Sequence, residues 1–213
     1  MSRALIFANG DFDHPELVRS LVQPADVILA ADGGARHAAS LGLLPSAIIG
    51  DLDSLSASEL RSYQQQAVQI LRFPVAKDET DLELALAHAL HAGHNPILIL
   101  GAFGGRLDQT IGNLAMLTSP QALRADIRLE DGLTEAFFVT SSALIHGSPG
   151  ETVSFIPWGL PVEAVSTAGL AYPLNAETLF PHRTRSISNR MLADDARVTI
   201  GAGLLLCIHI RNK

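Results

Sequence analysis

Short, continuous apolar runs that alternate with helical segments dominate roughly the first 120 residues. The runs Ala4–Ala8, Val27–Ala31 and Ala47–Ile49 contain no polar residue, and each is followed by a segment with helical spacing. A strand that is apolar without alternation is typical of one buried on both faces. Such strands separated by helices predict a parallel sheet with helices on both sides. Ligands of these sheets bind at the carboxyl ends of the strands.

The pattern changes after about residue 119. From Ile127 onward, short extended runs such as Glu135–Thr140 and Thr152–Pro157 are separated by Gly and Pro, with no long helical segment between them. This pattern is typical of a small all-β domain, either a sandwich or a barrel. We therefore expect a three-layer α/β domain with a mostly parallel sheet over residues 1–125. A small β-sandwich should follow over residues 126–213.

Composition and charge narrow the class of protein. Apolar residues make up 47% of the chain and charged residues 17%, which favours a globular fold. A net charge of -7 argues against a general nucleic-acid binder. No apolar run approaches the roughly 20 residues that cross a bilayer, and the start of the chain does not resemble a signal peptide. The single cysteine, Cys207, cannot form an internal disulfide. We expect a cytoplasmic protein without nucleic-acid or membrane partners.

Three carboxylates stand at the ends of the predicted strands. Asp32 follows one apolar run and precedes Gly33 and Gly34, and Asp51 and Asp53 follow the next run. Residues two apart in an extended segment face the same side, roughly 7 Å apart. Mg²⁺ favours a few carboxylates together with waters and substrate phosphates, so the pattern predicts a metal–phosphate site. The alternative is that the Asp51 and Asp53 carboxylates only make turn and capping bonds before a helix.

Two further clusters suit a phosphate. Lys77–Asp81 lies at the start of a predicted helix, where backbone N–H groups favour anions and Lys77 can reach a phosphate. In the same cluster Thr80 also fits an ordinary helix N-cap. Gly101–Gln109 places glycines and Arg106 between a strand and a helix, which lets the backbone approach phosphate oxygens, although a plain tight loop would look similar. Neither a Walker-type phosphate loop nor a dinucleotide fingerprint occurs.

At these clusters the sequence resembles the thiamine pyrophosphokinase (thiamine diphosphokinase) family. The family's A-D-G-G-A, G-D-x-D-S, K-D-x-T-D-x-x-x-A-L and G-G-R-x-D segments read here as Ala31–Ala35, Gly50–Ser54, Lys77–Leu86 and Gly104–Asp108. Later segments between Gly169 and Leu206 agree as well. The resemblance implies a homodimer with an N-terminal catalytic domain and a C-terminal thiamine-binding domain. It also implies transfer of pyrophosphate from ATP to the thiamine hydroxyl, giving thiamine diphosphate and AMP.

The resemblance extends to individual residues, which we take as expectations. The expected catalytic residues are Asp51, Asp53, Asp81, Arg106 and Asp108. The expected Mg²⁺ ligands are Asp32, Asp51, Asp53 and Asp81. The expected nucleotide-binding residues are Asn9, Asp32, Gly33, Gly34, Lys77, Thr80, Gly104, Gly105, Arg106 and Gln109. The expected thiamine contacts are Tyr172, Ser186, Ser188 and Asn189.

Two departures from the family pattern matter. Gln109 stands where many bacterial members carry histidine, which excludes a histidine base at that position. The general base is then either Asp81 or Asp108, and the sequence does not distinguish them. His182–Arg185 is unusually basic, and it either meets a phosphate or forms a solvated loop.

Two other functions compete with the one that the resemblance implies. One is a pyrophosphokinase that acts on another alcohol, such as a hydroxymethyl pterin. The segment Ser186–Asn189 favours thiamine over that alternative. The other is a non-catalytic thiamine or nucleotide sensor, which would not need the complete set of acidic residues.

Overall fold

The computed structural model describes residues 2–212, and the chain divides into two compact units after Gly132. The first unit contains a parallel sheet. Its strands are β1 (Ala4–Phe7), β2 (Val27–Ala31), β3 (Ala47–Gly50), β4 (Gln69–Arg72), β5 (Ile97–Leu100) and β6 (Ile127–Glu130). They lie in the order β6-β5-β1-β2-β3-β4, and each neighbouring pair is parallel.

Helices cover both faces of this sheet. They are α1 (Pro15–Leu21), α2 (Gly34–Ser40), α3 (Ala57–Gln65), α4 (Asp81–His91) and α5 (Leu107–Met116), with a short 3₁₀ turn at Ala122–Arg124. On one face, Val18 of α1 and Ala38 of α2 pack with Phe7 of β1. Tyr63 of α3 packs with Ile48 of β3 on the same face. On the other face, α4 packs across β1, β2 and β3. The predicted three-layer α/β architecture is confirmed.

Helix α4 shows why the local sequence sets its ends. The Thr80 hydroxyl accepts a hydrogen bond from the backbone N–H of Glu83 at 3.1 Å, which caps the first turn. Asp81 and Glu83 lie in that turn, where the helix dipole favours negative charge. The helix begins where the sequence predicts. None of the helices between residues 2 and 212 combines the length and apolar character needed to cross a membrane.

The second unit contains two antiparallel sheets. Its strands are β7 (Thr134–Val139), β8 (Ser142–His146), β9 (Thr152–Pro157), β10 (Val162–Ala168), β11 (Glu177–Leu179), β12 (Asn189–Arg190), β13 (Asp195–Thr199) and β14 (Leu205–Ile210). Within this unit the strand orders are β12-β9-β14-β7 and β11-β10-β13-β8. Both sheets contribute to one apolar core, which includes Phe155, Cys207 and Val198. This confirms the predicted β-sandwich, with Cys207 as a buried free thiol.

The division between the units falls later in the chain than the boundary expected after residue 125. The reason is β6, which the sequence places with the extended runs of the β-domain. In the structure, Ile127–Glu130 pairs in parallel with Ile97–Leu100 and belongs to the α/β sheet. The residues of β6 resemble those of any short buried strand, so its partner is fixed by tertiary pairing.

A buried polar cluster lies within the β-sandwich. His209 is 0% exposed, its Nδ1 lies 3.0 Å from Glu135 Oε1, and its Nε2 lies 2.8 Å from Glu151 Oε2. Burial raises the pKa of Glu151, but hydrogen bonds from Ser148 N, His209 and Asn212 N outweigh it and hold this pKa below its usual value. Both ring nitrogens of His209 thus have a carboxylate partner, so these buried polar groups are paired.

Candidate active site at the carboxyl edge of the parallel sheet

A cavity of about 530 Å³ lies at the carboxyl ends of the parallel strands. The loops after four of the strands contribute polar side chains: Asn9 after β1, Asp32 after β2, Asp51 after β3 and Arg106 after β5. Asp81, the first residue of α4, lines the same cavity. The volume falls in the range of small-molecule sites, and the position is the one expected for the ligand of an open α/β sheet.

The structure brings most of the predicted nucleotide-binding, metal-binding and catalytic residues of the α/β unit to this cavity. Those that line it are Asn9, Asp32, Asp51, Lys77, Thr80, Asp81, Gly104, Gly105, Arg106 and Gln109. Those outside its lining are Gly33, Gly34, Asp53 and Asp108. Asp53 nevertheless joins the carboxylate group described next, and Asp108 contacts Arg106.

Three carboxylates converge at one side of the cavity. Oxygens of Asp32, Asp51 and Asp53 all lie within 4.8 Å of one another. Asp32 is buried, and its Oδ1 has no hydrogen-bond partner among residues 2–212. A buried carboxylate oxygen without a partner destabilises the fold, and the negative charges of the neighbouring carboxylates repel one another. A divalent cation would relieve both, and a small set of carboxylate oxygens open to a cavity fits Mg²⁺.

The backbone that carries these carboxylates is strained. Asp32 has φ 44° and Leu52, between Asp51 and Asp53, has φ 67°. The left-handed region costs an ordinary side chain roughly 1–2 kcal/mol, and leucine gains no local hydrogen bond there in return. Asp53 N donates to Asp51 Oδ1 at 3.1 Å, which closes the turn. The strained turn thereby directs both carboxylates toward Asp32.

Gly50 allows a fourth carboxylate to come close. A Cβ built on Gly50 would lie 2.8 Å from Asp81 Cγ and 3.2 Å from Asp32 Cβ. Any side chain at this position would therefore collide with Asp81 and crowd Asp32. Asp81 lies next to Asp32 because residue 50 has no side chain.

Lys77 places a positive charge among these acids. Its Nζ lies 2.9 Å from Asp81 Oδ1 and 3.6 Å from Asp51 Oδ2, and it donates to the carbonyl of Pro74 at 3.2 Å. The close ion pair with Asp81, together with the charge of Asp51, raises the pKa of Lys77. The ammonium group is thus held in its charged form at the cavity wall.

The loop after β5 supplies another part of the cavity lining. Gly104 and Gly105 have φ 83° and 56°, a left-handed conformation that glycine adopts without strain. Arg106 is largely exposed and pairs with Asp108, its Nη2 lying 2.5 Å from Asp108 Oδ2. This contact raises the pKa of Arg106 and lowers that of Asp108. Arg106 can exchange this exposed partner for a phosphate at little cost.

Asp11 is a cavity residue that the sequence reasoning missed. It follows β1, lines the cavity, and its carboxylate Oδ2 lies 2.5 Å from the position that a Cβ on Gly104 would take. Like Asp32 and Asp51, Asp11 is an acidic residue shortly after a buried strand, and this pattern could have identified it. Phe103 and Asn113 also line the cavity without having been predicted.

Gly33 and Gly34 are packing positions in this structure. A Cβ on Gly33 would lie 2.5 Å from the Asn9 side-chain oxygen, and one on Gly34 would overlap the carbonyl oxygen of Phe7. These glycines therefore let α2 start directly against β1. Asn9 in turn donates to Ser54 Oγ at 3.4 Å, which links the loops after β1 and β3.

The predicted thiamine contacts lie in the β-sandwich and divide into two kinds. Ser186 is buried and donates to the carbonyl of Phe155 at 2.6 Å. Asn189 is buried and binds both backbone groups of Tyr172, at 3.0 and 2.7 Å. Tyr172 is 65% exposed, and Ser188 is exposed with φ 59°. The first two side chains therefore hold the local backbone, and the other two face outward.

The basic segment near these residues is partly paired. Arg185 Nη2 lies 2.9 Å from Glu177 Oε1, and both side chains are exposed. The ring of His182 lies 5.7 Å from that of Phe180. Exposed pairs of this kind contribute little to stability, which leaves the segment able to meet an anion.

Two family models match the chain. Residues 18–129 match the model described as thiamin pyrophosphokinase, catalytic domain. Residues 143–205 match the one described as thiamin pyrophosphokinase, vitamin B1 binding domain. The two matches fall on either side of the division after Gly132.

Individual proteins show the same similarity. A thiamine pyrophosphokinase of Bacillus subtilis (strain 168) is 29% identical over 183 residues, which cover 85% of this chain and 86% of that protein. Thiamine pyrophosphokinase 2 of Arabidopsis thaliana is 28% identical over 233 residues, covering 98% and 86%. The crystal structure of the B. subtilis protein superposes with a TM-score of 0.88 at 25% identity, covering 100% of both chains. The yeast thiamin pyrophosphokinase shares the fold, with a TM-score of 0.80 at 21% identity and coverage of 98% and 86%.

Proposed function

This chain belongs to the thiamin pyrophosphokinase family, and on that premise we propose how its residues carry out the reaction. Pyrophosphate passes from ATP to the hydroxyl of thiamine, giving thiamine diphosphate and AMP. The α/β unit binds ATP and the β-sandwich binds thiamine. One observation carries this proposal furthest: Asp32, Asp51 and Asp53 converge beside a buried, unpaired oxygen in a cavity that Lys77 and Arg106 also line.

Asp32, Asp51 and Asp53 are the proposed ligands of Mg²⁺. Their oxygens already converge, which fits a cation that takes few carboxylates and keeps its remaining positions for water and phosphate. When bound, the metal neutralises charge on the phosphate oxygens and polarises the phosphorus centre. Asp81, the predicted fourth ligand, flanks Asp32 across Gly50 and pairs with Lys77.

Charge stabilisation is the main task of the remaining residues. The thiamine hydroxyl oxygen forms a bond to the β-phosphorus, and the bond from that phosphorus to the bridging α–β oxygen breaks, so that AMP departs with the electron pair. Negative charge therefore grows on the β-phosphoryl oxygens and on AMP. Lys77 and Arg106, with the backbone of Gly104 and Gly105, are placed to bind these oxygens.

The attacking hydroxyl must also lose its proton. Asp81 and Asp108 are the two candidates that the sequence leaves open. Asp81 lines the cavity, whereas Asp108 lies outside its lining. These positions favour Asp81 as the proton acceptor.

Thiamine is assigned to the β-sandwich. Tyr172 and Ser188 present exposed side chains for the ring system, and Ser186 and Asn189 fix the backbone that carries them. The homodimer and the cytoplasmic location are further proposals. They rest on the family resemblance and, for the location, on the single cysteine.

The test is an assay of AMP release from ATP with Mg²⁺, in the presence and absence of thiamine and of EDTA. We expect AMP only when both thiamine and the metal are present. AMP released with a hydroxymethyl pterin but not with thiamine would establish the alternative substrate. Thiamine binding without any turnover would instead establish a sensor.

The carboxylate site is tested by Asp51→Asn, with Asp78→Asn as the matched control. Asp78 lies in the neighbouring acidic motif, is exposed and does not line the cavity. Asp51→Asn should lower turnover by about two orders of magnitude or more while the protein remains folded, because a neutral amide oxygen attracts a divalent cation far less strongly than a carboxylate does. Asp78→Asn should retain near-normal turnover. Equal turnover in the two variants would remove Asp51 from the site.

A further inference from the structure

The ammonium group of Lys77 lies against two of the cavity's carboxylates, Asp51 and Asp81. Its Nζ lies 2.9 Å from Asp81 Oδ1 and 3.6 Å from Asp51 Oδ2, and its side chain is only 11% exposed. A hydrogen bond of 3.2 Å to the carbonyl of Pro74 holds it there. Lys77 therefore contacts one expected metal ligand and approaches a second.

The other cation of the cavity is placed differently. Arg106 is 71% exposed and pairs with Asp108, outside the carboxylate cluster. In the cavity, Lys77 is thus the cation that neutralises Asp51 and Asp81 directly. A divalent cation that binds Asp51 must approach within a few ångströms of this ammonium group, and the two positive charges repel each other.

We propose that Lys77 makes metal binding depend on the nucleotide, an inference that rests on the proposed function of this site. Without nucleotide, the ammonium group serves as the counter-ion of Asp51 and Asp81 and keeps a bare divalent cation weakly bound. A triphosphate offers Lys77 a stronger anionic partner. The flexible four-carbon side chain swings to the phosphate oxygens and frees the carboxylates for the metal that the nucleotide carries. Metal and nucleotide then strengthen each other's binding by the same factor.

A purely structural function for Lys77 predicts a different result. If Lys77 only fixes the segment before α4, its replacement loosens the site, and both metal and nucleotide bind more weakly. If Lys77 acts through its charge, its replacement strengthens metal binding in the absence of nucleotide and weakens nucleotide binding. The two explanations therefore differ in the sign of one measurable change.

The test is calorimetric titration of the full chain with Mn²⁺ alone, comparing wild type with Lys77→Met. Removing one charge at this distance from a divalent ion should tighten Mn²⁺ binding by about tenfold or more. Binding of ATP in the presence of Mn²⁺ should weaken by about tenfold. Lys77→Arg keeps the charge and should bind Mn²⁺ as the wild type does. If Lys77→Met does not fold, Lys77→Gln replaces it with the same expected results.

Two outcomes would overturn the inference. One is Mn²⁺ binding by the uncharged variants that equals or falls below that of the wild type. The other is unchanged Mn²⁺ binding by Asp51→Asn, which would place the metal elsewhere. The titration contains no thiamine and involves no turnover. Tighter binding in a protein that does not pyrophosphorylate thiamine would therefore leave the inference standing and refute the proposed function alone.

Discussion

Replacing Gly50 by alanine is the sharpest perturbation of the proposed site. Gly50 ends β3 with φ 149°, a conformation that L side chains rarely adopt. The added methyl group would stand 2.8 Å from Asp81 Cγ, 2.9 Å from Asp81 Oδ1 and 3.2 Å from Asp32 Cβ. Contacts this short force the carboxyl group of Asp81 to move. The methyl group thus separates two carboxylates without removing either.

The substitution should affect both the free energy of folding and the rate of turnover. A strained backbone conformation costs about 1–3 kcal/mol of folding free energy. The Asp81 carboxyl is the end of a short side chain, so the steric conflict is relieved mainly by its displacement. Displacement of a catalytic group by about 1 Å can lower turnover about 100-fold. We therefore expect a moderately destabilised protein with a large loss of turnover.

Gly42→Ala is the matched control. Gly42 also has a positive φ, 70°, but a Cβ added there meets nothing within 4 Å. The left-handed backbone should cost about 1–2 kcal/mol, while turnover stays close to that of the wild type. Urea unfolding measures the stability of both variants, and AMP release with ATP and thiamine measures turnover below the unfolding transition. If Gly50→Ala turns over as fast as Gly42→Ala, the geometry inferred for Asp32 and Asp81 is refuted.

Two further predictions concern stability. Thr80→Ala should lower the free energy of unfolding by about 1 kcal/mol in urea denaturation, because the Glu83 N–H loses its cap, whereas Thr80→Ser should be close to wild type. The pKa of Glu151 is held below its usual value, so the stability it contributes is present above the unfolded pKa of about 4.3 and is lost as pH falls through the lower folded pKa. In Glu151→Gln, the free energy of unfolding should therefore decrease less steeply as the pH falls below about 5. Unfolding can be monitored by the fluorescence of Trp158, the single tryptophan. An equally steep acid transition in that variant would contradict the assignment.

Local pattern is enough to predict the regular elements. Helix α4 begins at Asp81 because Thr80 caps it, and the strand Thr152–Pro157 has the predicted bounds, since the signals for both lie within a few residues. The shorter strands Glu177–Leu179 and Asn189–Arg190 escape prediction, because two or three residues show no periodicity. The strand Ile127–Glu130 is recognisable as a strand, but its parallel partner is distant in the chain and cannot be read locally.

Part of the site could be predicted for the same reason. Asp32 and Asp51 each end a buried strand, and parallel neighbouring strands bring their carboxyl ends together. The burial of Ser186 could not be predicted, because its hydroxyl bonds to Phe155, 31 residues earlier in the chain. The contact of Asp11 with Gly104 likewise joins two loops that only the folded sheet brings together.

Product analysis tests the central claim, pyrophosphate transfer, most directly. ATP labelled at the β-phosphorus is incubated with the protein, Mg²⁺ and thiamine, and the products are separated by ion-exchange chromatography. We predict unlabelled AMP and labelled thiamine diphosphate in equal amounts, with no thiamine monophosphate formed on the way. Labelled ADP together with thiamine monophosphate would show transfer of a single phosphoryl group and would contradict the proposed attack at the β-phosphorus.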